Sequence, residues 1–421
     1  MRSRYQLITG ASFAGTIGWG TILPFQYAYV VDARNWGSTL GILSGTAFCL
    51  GAIVAAPMAG RLADRYQAGV LATLFTLGAA AASLGLGFAS APWAFLLAIA
   101  GFGATVTATQ PATQVLVLEC VDPQDRRSVF AYQFTAMALG MAAGAFAAGL
   151  TVNLTSAGGM WPAFSIAAGS FVVSAGLLAL VGRTSSRPVS IPDPHTSASP
   201  DAGSLATYRQ LLNSRQLRLL ALVSMALAAG FYAQFETGLP AFALQSLNVQ
   251  PSTIGVAAAA NCLVIVALQW LVVRLTGGHH GAALLVVVAS IWVFSWLLLE
   301  VALFVSPEVS AVLFVVAFMS FAIGETMYAP VLSPLAAALA PAGLVGTTLG
   351  GLAALRTGVS AAGPLVAGVL LALDAPHVFV LVHVLVNVIG GVFAWRLFRA
   401  EPRAGSRVDN ESVDFLRSAH G

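Results

Sequence analysis

Twelve apolar stretches, each long enough to form a bilayer-crossing helix, follow one another along the 421 residues of this chain. They run approximately over 5–31, 37–63, 69–89, 92–120, 128–151 and 161–182, then, after a polar interval, over 217–247, 252–275, 281–305, 309–339, 344–373 and 376–398. A helix needs about 20 apolar residues to cross a hydrocarbon layer roughly 30 Å thick, whereas membrane-barrel strands alternate in segments of about ten. Charged residues are 8% of the chain, against about a quarter in a soluble domain. So little charge cannot cover a water-facing surface. A soluble enzyme, a nucleic-acid-binding protein and a disordered chain are therefore excluded, and a net charge of +3 leaves no basic footprint for DNA or RNA. The first stretch is too long, and too rich in Gly, Tyr and Gln, for a cleaved signal peptide.

The arginines order the stretches. All 19 basic residues are arginine. If twelve spans alternate, Arg2, Arg4, Arg61, Arg65, Arg126, Arg127, the cluster from Arg183 to Arg218, Arg274 and the run from Arg396 to Arg417 share one side, with Arg34 opposite and Arg356 inside a span. The positive-inside rule makes that side cytoplasmic, with both termini, in a multi-pass protein of the cell (inner or plasma) membrane. Residues 183–216, rich in Pro, Ser and Asp, read as a linker ending in a short amphipathic helix near 205–212. This divides the chain into a bundle over 1–182, the linker 183–216, a second bundle over 217–399 and a tail over 400–421. The halves echo each other: Leu23-Pro24 answers Leu239-Pro240, and Ser38-Thr39-Leu40-Gly41 answers Ser252-Thr253-Ile254-Gly255. The expected fold is all-α and polytopic, with twelve transmembrane helices in two pseudo-symmetric six-helix bundles, the plan of parallel-repeat transporters.

Short motifs carry a family resemblance. Gly60-Arg-Leu-Ala-Asp64-Arg65 resembles the cytoplasmic loop signature GxxxDRxGRR of the major facilitator superfamily, and Glu119 followed by Asp122-Pro-Gln-Asp-Arg126-Arg127 is similar to the acid and arginine that complete that loop. Phe235-Glu236-Thr-Gly-Leu-Pro240 and Gly324-Glu325-Thr-Met-Tyr-Ala-Pro330 look like the twelve-helix drug:proton antiporter branch. There are departures. Gln67 replaces the second glycine of the loop signature and the trailing basic pair is missing. Gly140, Gly144 and Gly149 stand where the antiporter signature has Gly-Pro, Gly363-Pro364 lies at the pseudo-symmetric place, and Leu97 replaces an early arginine of the fourth span. The resemblance implies alternating access, with Asp64, Arg65, Glu119 and Arg127 as gating charges whose ion pairs across the inner mouth lock one conformation and break in the other.

Ionisable residues inside spans are few. A charge at a helix centre costs about 2.5 to 3.5 kcal/mol in the bilayer and is functional by default. Glu236, Glu325, Arg356 and His383 are such residues, all in the second half. Arg356 can neutralise only one glutamate at a time, and a carboxyl without a cation in low dielectric takes up a proton. Glu236, Glu325 and Arg356 are thus the proton-coupling candidates. Glu236 ranks first, because it precedes Gly238 and Pro240, where a broken helix frees carbonyls; a permanent Glu325–Arg356 tether is the structural alternative. His383 reads as a packing residue, Asp32 and Glu300 as surface near the outer interface. Trp19 with Gln26, Gln110 with Gln114, Gln133 with Met137, Tyr232 with Glu236 and Glu325 with Tyr328 recur at helical spacing. Amides are costly against lipid, so these faces should line a substrate cavity. Aromatic, Met and amide groups with one or two acids suit an amphiphilic organic molecule, organic cations included.

Cys49, Cys120 and Cys262 lie far apart in apolar stretches and are expected to be buried, inert thiols. No constellation suggests an enzyme, a metal or a cofactor. The expected partners are a small amphiphilic substrate, protons and the bilayer, with the chain acting as a monomer. The leading expectation is a proton-coupled exporter. The alternatives are a facilitator or symporter importing a small metabolite, and a non-transporting membrane scaffold or sensor.

Overall fold

Inside a bilayer a backbone N–H has no water to turn to, so an apolar stretch satisfies its hydrogen bonds internally by becoming a helix. The computed structural model describes residues 2–184, 209, 211, 213–235 and 237–400. Six long helices form the first half: α1 (Arg2–Ala28), α2 (Ser38–Arg65), α3 (Ala68–Phe88), α4 (Pro92–Cys120), α5 (Arg126–Thr151) and α6 (Trp161–Thr184). The second half follows with α7, built from the pieces Arg215–Leu227, Ala233–Phe235 and Gly238–Gln245, then α8 (Pro251–Thr276), α9 (Gly281–Ala302), α10 (Pro307–Leu339), α11 (Val345–Ala372) and α12 (Pro376–Ala400). Among the described residues there is no strand. Pro92, Pro251 and Pro307 open their helices, where a missing N–H costs nothing.

Eleven described helices are long and apolar enough to cross a membrane. The exception is α1, which has 27 residues but carries Ser, Thr, Gly and Gln among its apolar ones; it lies against α5 and α6. Glu236, most of the expected linker, most of the helix expected near 205–212 and the tail beyond residue 400 lie outside the described residues.

The packing repeats. In the first half α1 packs on α5 and α6, α2 on α4, and α3 on α4 and α6; in the second, α7 packs on α11 and α12, α8 on α10, and α9 on α10 and α12. Each pair recurs with six added to both helix numbers. Small residues permit the closest approaches. A Cβ on Gly144 would sit 2.9 Å from the Ile17 carbonyl carbon, so α5 can lie against the backbone of α1 only without one. The second-half core is aromatic, with Trp292, Trp296, Phe231 and Phe321 fully buried.

The halves meet along α2 with α11, and along α5 with α8 and α10. At the first seam a Cβ on Gly350 would lie 3.0 Å from the Gly60 Cα. At the second, Phe134 and Ala138 of α5 pack on Val264, Ile265 and Ala322.

Candidate functional site

The halves are latched at the end of the molecule that carries Arg65, Arg127 and Arg274. The first residues of α11 have backbone N–H groups with no partner inside their own helix. Leu344, at the capping position, has no side-chain oxygen to offer them. Asp64, at the end of α2 in the other half, does this instead: its Oδ1 accepts from the Gly346 N–H (2.5 Å), and its Oδ2 accepts from the Thr347 N–H (2.7 Å) and the Thr347 hydroxyl (2.6 Å). A carboxylate at a helix N-terminus also meets the positive end of the macrodipole. The second latch has the opposite sign. Arg127, at the start of α5, donates to the Thr276 carbonyl at the end of α8 and, at 3.0 Å, to the His279 carbonyl just beyond it. Asp64 and Arg127 thus each hold a helix end of the opposite half through main-chain atoms. Arg65 is exposed, and Glu119 is exposed beside the same mouth.

Glu325, on α10 within the second half, is a buried acid, 6% exposed. Its Oε2 accepts from Asn261 Nδ2 of α8 at 3.3 Å, and the same Nδ2 donates to the Phe318 carbonyl at 3.1 Å. One turn beyond Glu325, Pro330 lacks the N–H that would bond the Thr326 carbonyl. Gln269 of α8 supplies a donor to it at 3.1 Å. Two amides eight residues apart on α8 therefore clamp α10 around the acid. Tyr232, Trp292 and Tyr328 face one another with centroids 5.6–5.8 Å apart, and Gly324 gives the Trp292 indole room against α10. The alternative, a Glu325–Arg356 tether, is not formed; the Arg356 guanidinium lies 5.9 Å from the Tyr328 ring centroid. Tyr328 itself is almost fully buried, and its hydroxyl has no partner among the described residues. Tyr232 closes a π-helical turn, Ala228–Tyr232. The Gly230 carbonyl in that turn accepts from Trp296 Nε1 (2.6 Å) and Asn387 Nδ2 (3.2 Å). The chain then breaks at Thr237 before Gly238, where the sequence leads one to expect a discontinuity.

A second polar centre lies inside the first half. Trp19, Gln110, Gln133 and Met137 line a partly open cavity of about 60 Å³ among α1, α3, α4, α5 and α6. Gln133 Nε2 donates to the Ser12 hydroxyl at 2.9 Å. Trp19 Nε1 is buried without a partner among the described residues. The structure thus separates the expected substrate residues: Trp19, Gln110 and Gln133 belong to this cavity, while Tyr232 and Tyr328 gather at Glu325. Gln26 belongs to neither; it ties α1 to α2 through the Ser44 hydroxyl at 2.8 Å. Gln114, one turn past Gln110, does not line the cavity.

His383 packs as expected, 3% exposed, stacked on Trp296 and bonded to the Phe379 carbonyl. Glu300 pairs with His377 at 2.8 Å on the end of the molecule remote from the latches. The three cysteines form no disulfide and are half-buried, a correction to the expected full burial. Asn261 and the hydroxyls around Trp19 were missed by the sequence reading. Asn261 carried the same signal as the glutamines, an amide within an apolar run, whereas scattered Ser and Thr carry none, because their hydroxyls are satisfied by their own helix.

Comparisons with known proteins agree on the architecture. The Major Facilitator Superfamily model matches residues 8–362. The human organic anion transporter MFSD10 (TETRAN) shares 17% identity at a TM-score of 0.75, over 93% of this chain and 99% of that one. A bacterial homologue of the iron transporter ferroportin, in its outward-facing state with soaked iron, shares 16% at 0.70, over 94% and 99%. The transporter FucP in the outward conformation shares 15% at 0.69, over 94% and 99%. No curated protein is matched by the sequence.

Proposed function

The chain belongs to the Major Facilitator Superfamily, and from this premise we propose that it is a proton-coupled exporter of amphiphilic organic molecules, working by alternating access in the cell membrane with its arginine-rich end and both termini in the cytoplasm. The observation that carries this reading is Glu325: a carboxyl at membrane depth, 6% exposed, held by an amide rather than by a cation. An intramembrane acid held by an amide, without an ion-pair partner, is suited to load and release a proton. Proton transfer at Glu325, next to the Tyr232–Trp292–Tyr328 rings, would change the charge of the second half while the latches at the far end open or close. Asp64 and Arg127 are the gating groups in this scheme.

The test uses inside-out vesicles with an acidified lumen and a fluorescent amphiphilic dye. The wild-type protein should accumulate the dye as protons leave. Glu325→Gln, close in shape and still able to meet Asn261, should fold normally and lose at least 90% of the pH-driven component while still exchanging dye down its gradient. Undiminished pH-driven accumulation would remove Glu325 from the mechanism; dye uptake that instead requires an outward-to-inward gradient in intact cells would make the protein an importer. Glu236→Gln in parallel assigns the proton to one acid or to both.

A further inference from the structure

The outer flank of the second half, where α7 and α12 run side by side, carries charge that neither the latches nor the Glu325 cluster uses. Gln216, at the start of α7, donates to the Ala400 carbonyl that ends α12, at 3.1 Å. Further along, a Cβ on Gly390 would lie 3.2 Å from the Ala226 Cβ, so the two helices stay close. Within about one turn of the Gln216–Ala400 bond stand four exposed arginines, Arg215 and Arg218 on α7 and Arg396 and Arg399 on α12. Among the described residues none of these guanidiniums forms a hydrogen bond or an ion pair. No Asp or Glu occurs over 209–235 or 375–400, and Glu401, the next acid along the chain, lies outside the described residues. Arg215 and Arg218 also stand in the first turn of their helix, where the dipole already presents its positive end. The patch therefore holds a surplus of positive charge that an anion would neutralise.

Its depth points to a lipid. Leu381, Leu385, Val388, Val392 and Trp395 are all exposed and follow one another three or four residues apart, so they form one apolar stripe along α12. The stripe ends on Arg399, whose guanidinium lies 3.6 Å from the Trp395 ring centroid. Tryptophan favours the boundary between hydrocarbon and water, and the cation–π contact holds the guanidinium at that level. Acyl chains can lie along the stripe while a phosphate meets the arginines, whose planar forks match phosphate oxygens two at a time. A soluble acidic peptide would meet the charges and leave the stripe unused.

We propose that the α7–α12 flank is a binding site for an anionic phospholipid of the leaflet at the arginine-rich end, with its phosphate on Arg215, Arg218, Arg396 and Arg399 and a chain along the α12 stripe. Basic pockets between membrane helices are suited to such headgroups. Four cations on two helices exceed the single charge of one phosphodiester, so the doubly charged diphosphatidylglycerol, cardiolipin, is preferred over phosphatidylglycerol. The site belongs wholly to one half, so it stays intact whichever way the halves rock and is independent of the direction and coupling of transport.

Native mass spectrometry of the full-length protein in mixed phosphatidylcholine–detergent micelles tests it, with cardiolipin, phosphatidylglycerol and glycerol 3-phosphate as probes. Cardiolipin should bind at least tenfold more tightly than phosphatidylcholine and at least threefold more tightly than phosphatidylglycerol. Glycerol 3-phosphate, which has the charge without the chains, should not bind. Arg218→Gln combined with Arg399→Gln should weaken cardiolipin at least tenfold. Arg183→Gln combined with Arg274→Gln removes the same charge from exposed places at the same end, Arg274 having its own tryptophan, Trp270, at 5.5 Å, and should change the affinity less than twofold. Both double variants should melt as the wild type does in phosphatidylcholine alone, while cardiolipin should raise the melting temperature of the second pair and not of the first. Cardiolipin binding no tighter than either other phospholipid, equal losses from the two double variants, or glycerol 3-phosphate binding as tightly as phosphatidylglycerol would each overturn the assignment, the last in favour of a soluble phosphate.

Discussion

Asp64 accepts three hydrogen bonds from the first turn of a helix that belongs to the other half of the molecule. Bonds to a charged acceptor contribute about 1.5–3 kcal/mol each in favourable cases, and a helix dipole adds up to ~2. Asp64→Ala removes all three and should therefore shift the equilibrium away from the state latched at the arginine-rich end by at least about 1,000-fold. Thr347→Val removes only the hydroxyl bond and should shift it by roughly 10- to 100-fold. Modification rates of single cysteines facing the seam report both, and equal effects would show that the backbone bonds contribute little. At this scale the sequence singled out Asp64, Arg127 and Glu325 because charge within or beside an apolar run stands out. It did not identify their partners. Gly346, Thr276 and His279 present backbone atoms, which leave no trace in residue type, and Asn261 reaches Glu325 only because α8 lies against α10.

Two glycine seams of similar chemistry have different duties. Gly144 lets α5 lie on α1 within one half, and that contact persists through any rocking of the halves. Gly350 lets α11 lie on α2 across the halves, a contact that the proposed rocking would break. Overpacking a tight interior costs about 1–3 kcal/mol. Gly144→Val should accordingly lower the melting temperature whichever way the protein faces, whereas Gly350→Val should leave it nearly unchanged and favour the state open at the arginine-rich end. Melting curves paired with cysteine accessibility separate the two; an equal loss of stability from both would make the α2–α11 seam a permanent contact. Among the elements, the long apolar helices and the break before Gly238 were legible from hydropathy, Gly and Pro. The π-helical turn at Ala228–Tyr232 was not, because its Gly230 carbonyl is satisfied by Trp296 and Asn387, brought there by tertiary packing.

The whole molecule is two copies of one packing scheme joined at a seam that closes one end. Spin labels at Arg65 and Ala342, exposed on opposite halves at the latched end, and at Ser156 and Leu373, exposed at the other, should report opposite changes. Conditions that open the first pair by several ångströms should shorten the second, measured by pulsed electron–electron resonance; distances that lengthen together would contradict rocking about a central site. The twofold plan was legible from the repeated Leu-Pro and Ser-Thr motifs and from the one-sided arginines. The separation of the polar residues into a neutral cavity and an acid cluster was not, since helical spacing gives the face of each helix but not which faces meet.

The latches have a consequence for how this protein can vary. Asp64 and Arg127 hold main-chain atoms, which nearly every residue possesses. Apart from Gly346, whose lack of a Cβ lets Asp64 approach, and the Thr347 hydroxyl, the receiving positions can drift without breaking the latch. Variation should thus be one-sided. Among distant relatives, the grasping residue of each bond should stay fixed while its partner changes freely, so paired substitutions, the usual trace of a contact, should be missing at the contacts on which switching depends.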